Sequence, residues 1–405
     1  MKISRSASIN VAFYAIISLN PYFRWLLPNE IFYFFFLIST VFLTFQLKDK
    51  FNNAIISNTY RRRVALMLLI YLLYFTTSFI HEMRWGHFVW LMPLILITFY
   101  NTEIITRGYI YIKIIFIWIS IFSILIWMLN QINFPIPYYT YQPDFRYFTS
   151  DYYRIYGPAI SLYRGDLPVG GIYGIERITG IFAEPGHFGI YLGFILAIEK
   201  FNFSIRDNQI LLLVGILTFS TAFYGMLLLG FIYRVINERK ISNSAVKTIL
   251  LIGLTLGLGF ALGGDGFKQL IYGRVINSQD NDSFSLVEVV ESRASNRLVE
   301  DFVDFSKSKD FIIGMGYTDH TEIEKTNWRG LIYRFGIVGF VIIILMFLII
   351  INKVPKTYGL LLLSFGVLVL SHRSYFLYTP SIFTLLTIAC IIYDKYKVKP
   401  LVVTF

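Results

Sequence analysis

The chain has 405 residues, of which 56% are hydrophobic and 15% charged, with a formal net charge of +11. Soluble domains carry about 25% charged residues, so an ordinary soluble enzyme is excluded, and a nucleic-acid protein is a poor use of the surplus cations. The apolar residues come in blocks close to the roughly 20 residues that cross hydrocarbon as a helix, so lipid is the expected solvent.

Lys2 and Arg5 precede an apolar run that starts at Val11. This resembles a signal peptide, but no small-residue cleavage pattern follows, and a retained first helix is expected. The apolar pattern predicts spans at 8–27, 30–47, 64–80, 86–100, 108–130, 181–199, 209–221, 222–237, 247–263, 333–351, 358–371 and 377–393. Pro21 is expected to bend the first span. Lys48, Lys50 and Arg61 to Arg63 mark the loop after the second span as cytoplasmic. Counting passes from there puts 131–180 on the outer face.

That first outer segment is rich in tyrosine: Tyr138, Tyr139, Tyr141, Tyr147, Tyr152, Tyr153, Tyr156 and Tyr163. Tyrosine offers a flat apolar face and a hydroxyl, which suits a sugar ring. An aromatic belt at the membrane interface is the plainer explanation. The segment also carries Arg146, Arg154, Arg164 and Arg177. Cations on the outer face run against the positive-inside tendency and point to an anionic ligand, although long loops translocate regardless of charge. Arg-to-Gly spacings recur between Arg154 and Gly180, in a region too glycine-rich for them to carry weight.

Glu184-Pro185-Gly186-His187 opens the sixth span. Proline favours the first helical position, so the helix is expected to begin at Pro185, with its N–H groups towards the outer face. Glu184 and His187 are three apart and share a helix face. A solvated cap at the interface is the alternative for Glu184. Over 209–237 one long helix would strand Arg234, Arg239, Lys240 and Lys247 outside. A hairpin turning near Ser220, Thr221 and Gly225 keeps them inside, with both termini cytoplasmic.

The second long outer segment, 264–332, carries Arg274, Arg293, Arg297, Arg329 and His320. His320 is a candidate proton acceptor, against the plainer role of a surface histidine. His372-Arg373 and Tyr375 lie between the last two spans, where a snorkelling role is equally consistent. His81 and His87 receive no role. The histidines show no metal-ligand spacing, Cys390 stands alone, and no phosphate-binding glycine loop is present. No metal and no cofactor are expected.

Two blocks carry a resemblance. One is Arg177-Ile-Thr-Gly-Ile-Phe-Ala-Glu184-Pro185-Gly-His187-Phe-Gly189. The other is Asn327-Trp-Arg-Gly-Leu-Ile-Tyr333-Arg334-Phe-Gly336, followed later by Ser371-His372-Arg373-Ser-Tyr375. With the order of the spans, the chain resembles the Wzy-type O-antigen and capsule polysaccharide polymerases, which share an architecture with the O-antigen ligases. The fold this implies is all-α, a single integral membrane domain over 1–405. About twelve spans form a GT-C-like bundle in a bacterial inner membrane, with 131–180 and 264–332 as periplasmic loops.

The implied reaction is an inverting, metal-independent glycosyl transfer. Glycan leaves undecaprenyl diphosphate and joins the terminal sugar hydroxyl of a new lipid-linked repeat unit. The implied catalytic set is Glu184, His187 and His320. Arg177, Arg293, Arg297, Arg164, Arg154, His372, Arg373 and Tyr375 are the implied diphosphate and glycan contacts. The bilayer, the lipid-linked oligosaccharide and a chain-length-regulating membrane protein are the implied partners; nucleic acid is not one. The ligases' late histidine-rich cluster has only His320 and Asn327 as counterparts here, which favours polymerase over ligase. A lipid-linked sugar flippase is the alternative from another class; it predicts charges buried within the spans.

Overall fold

The computed structural model describes residues 5–18, 29–51, 65–69, 72–73, 92, 95–97, 100, 102–132, 134–141, 152–156, 161–164, 177–182, 184–238, 302–316, 328–352, 354–373 and 380–395. Their structure is mostly helical. In chain order the elements are α1 (Arg5–Ser18), α2 (Asn29–Phe51), α3 (Thr102–Gln131), β1 (Tyr139–Tyr141), β2 (Tyr152–Ile155), β3 (Ser161–Arg164), β4 (Arg177–Gly180), α4 (Pro185–Ile198), α5 (Arg206–Leu217), α6 (Thr221–Glu238), α7 (Asp310–Ile313), α8 (Trp328–Ile351), α9 (Lys356–Arg373) and α10 (Pro380–Lys395). The expected span 247–263 lies outside the described residues, as does most of 64–100.

Among the described residues two helices, Thr102–Asn130 and Trp328–Ile351, are long and apolar enough to cross a membrane. At about 1.5 Å per residue, the 30 residues of α3 run to roughly 45 Å, beyond the ~30 Å hydrocarbon thickness. Large apolar side chains on α3 point away from the protein: Trp118, Phe122, Leu125 and Met128 are between 46% and 57% exposed. Phe34, Leu37 and Ile38 on α2 and Val338, Val341 and Leu345 on α8 are likewise exposed. Soluble proteins rarely expose apolar stripes of this extent.

The chain divides into two compact units. In the first, α1 packs on α2 and α10, and α8 packs on α7, α9 and α10. Asn10 and Ser39 join α1 to α2: Asn10 Nδ2 donates to the Ser39 carbonyl (3.3 Å), and Ser39 Oγ donates to Asn10 Oδ1 (3.0 Å). Such polar pairs discriminate between helix registers where apolar contacts with lipid or with one another do not.

α8 is not a continuous helix. Gly336 breaks it at φ 65°, ψ −179°, a conformation essentially restricted to glycine. The break frees the carbonyls of Tyr333 and Arg334, and the chain after α7 takes both: Met315 N donates to Tyr333 O (2.7 Å) and Gly316 N to Arg334 O (3.0 Å). Gly314, at φ 90°, lies so close that a Cβ there would collide with the Arg334 carbonyl, and one on Gly336 would collide with the backbone of Ile312 and Ile313. Phe305 stacks on Tyr333 at 4.0 Å between ring centroids, and Phe302, Phe311 and Trp328 pack around them. Part of the expected loop 264–332 is therefore an ordered aromatic cap on α8. Gly336→Val should destabilise the protein by more than the roughly 1–2 kcal/mol of a strained left-handed residue, because the backbones must also separate. A thermal-unfolding midpoint equal to wild type would sink this account.

The second unit holds the rest of α3, the sheet and α4 to α6. The expected loop 131–180 carries a four-stranded antiparallel sheet in the order β1-β2-β3-β4, an addition to the expected all-helical fold. The segment expected to form a hairpin over 209–237 is two helices, α5 and α6, which break at Thr218-Phe219-Ser220, where Phe219 has φ 49°. α4 packs against α5, α6 and β4. Its buried residues run unbroken from His187 to Ile198, so α4 is the core helix of this unit.

Candidate active site at the start of α4

β4 is buried at all four residues and turns directly into α4. Glu184 is the N-cap, in extended conformation (φ −148°, ψ 147°), with Pro185 as the first helical residue, as the sequence predicts. Its backbone carbonyl accepts from His187 N (3.1 Å) and Phe188 N (3.3 Å), but its side chain makes no capping hydrogen bond. The carboxylate instead reaches forward one turn, placing Oε2 3.9 Å from His187 Nε2. That is longer than a hydrogen bond and is an ionic contact once the imidazole is protonated. The Glu184 side chain keeps 23% exposure, against 6% for His187. The carboxylate is thus the accessible member and the imidazole the buried one.

Arg177 opens β4 and is buried. Its Nε donates to the Thr218 carbonyl (3.1 Å) and its Nη2 to the Phe219 carbonyl (2.9 Å). These carbonyls lie at the C-terminal end of α5, where helix geometry leaves acceptors unpaired and the dipole favours a cation. Arg177, expected to hold a diphosphate, therefore spends two nitrogens on the α5–α6 break. Arg234 does the same at the opposite end of α4, donating to the Phe201 carbonyl at 3.0 Å.

Arg154, on β2, is half-buried. Its Nη1 lies 3.4 Å from Asn130 Oδ1, and its guanidinium sits 4.8 Å from the Tyr138 ring centroid. Tyr156 donates its hydroxyl to the same Asn130 oxygen at 3.3 Å. The two side chains brace the sheet against the end of α3. Arg164 ends β3, opposite Tyr152. His372 and Arg373 are the last residues of α9, in the other unit. Arg293, Arg297, His320 and Tyr375 lie outside the described residues. Of the expected set, Glu184 and His187 are brought together, with Arg177 in the strand that leads into them.

One buried charge cluster escaped the sequence reading. Lys113 sits within α3, its side chain fully buried, with Nζ 3.3 Å from Glu199 Oε1 and 3.7 Å from Asp207 Oδ2. Nζ makes no well-aligned hydrogen bond, so the contact is ionic. Glu199 is the C-cap of α4 and Asp207 lies in the first turn of α5. The signal was a lone lysine inside an apolar run, which is costly in lipid and so needs a partner. Beside them Lys200 is half-buried, and desolvation holds its ammonium pKa below the usual lysine value. Among the described residues no group of three or more His, Cys, Asp or Glu is placed to hold a metal ion.

Compared with known proteins, the chain matches no family model, no curated protein and no solved structure.

Proposed function

We propose that this protein is a multi-pass membrane glycan polymerase of the Wzy type, with Glu184 as its general base. The observation that carries the reading is the Glu184 carboxylate: it sits at the start of a buried helix, makes no cap bond, stays accessible and faces a buried histidine. In the reaction, the acceptor sugar hydroxyl gives its proton to Glu184 and its oxygen forms the new bond to the donor's anomeric carbon. The bond from that carbon to the diphosphate breaks, and the diphosphate leaves with the electron pair on the polyprenyl carrier. His187 positions the carboxylate. Arginines suit the leaving diphosphate through their planar fork, and Arg293 and Arg297 are the candidates, with Arg164, Arg373 and Tyr375 as further contacts. His320 is the alternative base.

The exposed apolar stripes on α2, α3 and α8 support a lipid environment. Among the described residues the buried Lys113 cluster favours a transporter, since it is a charge inside a predicted span. It gathers at the joint between α4 and α5, where a structural lock also accounts for it.

The deciding experiment incubates purified protein with a defined polyprenyl-diphosphate-linked repeat unit. A ladder of longer lipid-linked products without nucleotide sugar is expected, and it should persist in EDTA. Translocation of the lipid across a vesicle with no ladder would replace the polymerase by the flippase, and loss of the ladder in EDTA with rescue by a divalent ion would end metal independence. Topology is a separate prediction: cysteines at Ser150 and Ser283 should react with an impermeant thiol reagent in spheroplasts, and one at Ser244 should not. Labelling at Ser244 but not at Ser283 would reverse the proposed orientation of the second long loop.

A further inference from the structure

The helices that frame Glu184 are too short to cross a bilayer. At about 1.5 Å per residue, the 14 residues of α4 measure roughly 21 Å and the 12 of α5 roughly 18 Å, against about 30 Å of hydrocarbon. α6 gives a third measure. It starts at Thr221, beside the α5–α6 break, and its Arg234 donates to the Phe201 carbonyl in the turn at the far end of α4. The stretch from Thr221 to Arg234 is again about 20 Å. All three helices measure one interval, from Glu184 and the α5–α6 break at one end to the α4–α5 turn at the other.

The two ends of this interval differ. The α4–α5 turn is charged and open: Ser204 and Arg206 are exposed, and Lys200 and Asp207 partly so. Charges gathered this closely belong at a membrane surface, because they are costly within hydrocarbon. The opposite end is covered. β4 is buried throughout, and Thr218, Phe219 and Ser220 are 0%, 7% and 2% exposed. Its irregular backbone finds partners within the protein. Arg177 donates to the Thr218 and Phe219 carbonyls, and the Glu184 carbonyl accepts from His187 and Phe188. Non-helical backbone is tolerated at membrane depth where protein covers it in this way. The ionisable groups at this end, Glu184 and His187, lie 3.9 Å apart, and pairing is the usual arrangement of such groups inside a membrane.

We infer that the α4–α5 turn lies at one membrane surface and that Glu184 lies about 10 Å beneath the opposite one, within the depth of the hydrocarbon. In the proposed orientation that opposite surface is the outer one. The substrate class this favours is an amphiphile whose lipid tail holds its reacting bond below the headgroups. The inference rests on the membrane half of the proposed function and not on the assignment of Glu184 as base.

The test uses full-length protein in nanodiscs that contain a fraction of lipid with a gadolinium-chelating headgroup. Nitroxide labels are attached to single cysteines, Ser204→Cys, Gly186→Cys or Thr221→Cys, in a Cys390→Ala background. Relaxation of each nitroxide by gadolinium reads its distance from the headgroup plane, in a wet pocket as well as in a dry one. The label at Ser204 should relax as a surface label does. The label at Gly186, in the first turn of α4, should relax as one about 10 Å or more below the plane. Thr221 lies at the same level and should agree with it, and it keeps the measurement open if Gly186→Cys fails to fold. Labels at Gly186 and Thr221 that relax like the one at Ser204 would overturn the inference, and would show instead a bilayer thinned to match the short helices. Depth and chemistry fail separately. Labels at depth in a protein that makes no product ladder keep the sunken site and remove the polymerase. A ladder from a protein whose labels relax at the surface removes the depth alone.

Discussion

Glu184→Gln should reduce chain extension by about 10²–10⁴-fold, the usual worth of a general base. The amide keeps the size and polarity of the carboxylate and removes its basicity together with its charge. The side chain makes no capping bond, and the turn of α4 is closed by the backbone carbonyl of Glu184, so the variant should fold as wild type does. A rate loss without a stability loss is therefore the expected signature. His187→Gln should show a smaller loss, because the imidazole is the buried member of the pair and lies 3.9 Å from the carboxylate. Extension is measured as the product ladder from purified protein, with the melting midpoint recorded on the same sample. If Glu184→Gln extends normally while His320→Ala is dead, the base belongs to the second long loop and the Glu184–His187 contact is structural.

The largest stability effect is expected at Lys113. Lys113→Met preserves most of the side-chain volume but removes the ammonium that the Glu199 and Asp207 carboxylates share. Removing one partner of a buried ion pair costs about 3–5 kcal/mol, because the remaining charge stays desolvated. Glu199 bears most of this at 3% side-chain exposure; Asp207, at 14%, is partly relieved by water. The triple variant Lys113→Met, Glu199→Gln, Asp207→Asn should regain most of the loss, since replacing a whole buried charge cluster is often neutral. Unfolding in a detergent titration reads both. A Lys113→Met protein as stable as wild type would mean that the cluster holds nothing together.

Several features were legible in the sequence because their causes are local. Pro185 after a polar residue dictates a helix start, and a spacing of three puts Glu184 and His187 on one face. Long apolar runs produce α3 and α8. The α5–α6 break was read from the placement of Lys and Arg, a rule about topology that happens to act over a short stretch. The expected bounds, 209–221 and 222–237, differ from Arg206–Leu217 and Thr221–Glu238 by a few residues, since apolar pattern does not mark where a helix end finds its hydrogen-bond partners.

Other features depend on partners far along the chain, and no local pattern announces them. Strands of three or four residues are too short for alternation to be recognised, so the sheet in 131–180 read as loop. Arg177 is expected to contact phosphate because arginine suits phosphate; that its Nε and Nη2 also donate to carbonyls 41 and 42 residues away has no local sign in the sequence. The break at Gly336 is held open by Gly314 and the chain that follows it, so 333–351 read as one continuous span. By itself the sequence determined which segments seek an apolar solvent and where the candidate base begins its helix, since both are set by neighbours within a turn or two. Only the tertiary structure decided which charges are paired, which backbone groups are satisfied and which strands pair, because each of these requires a partner that folding alone brings within reach.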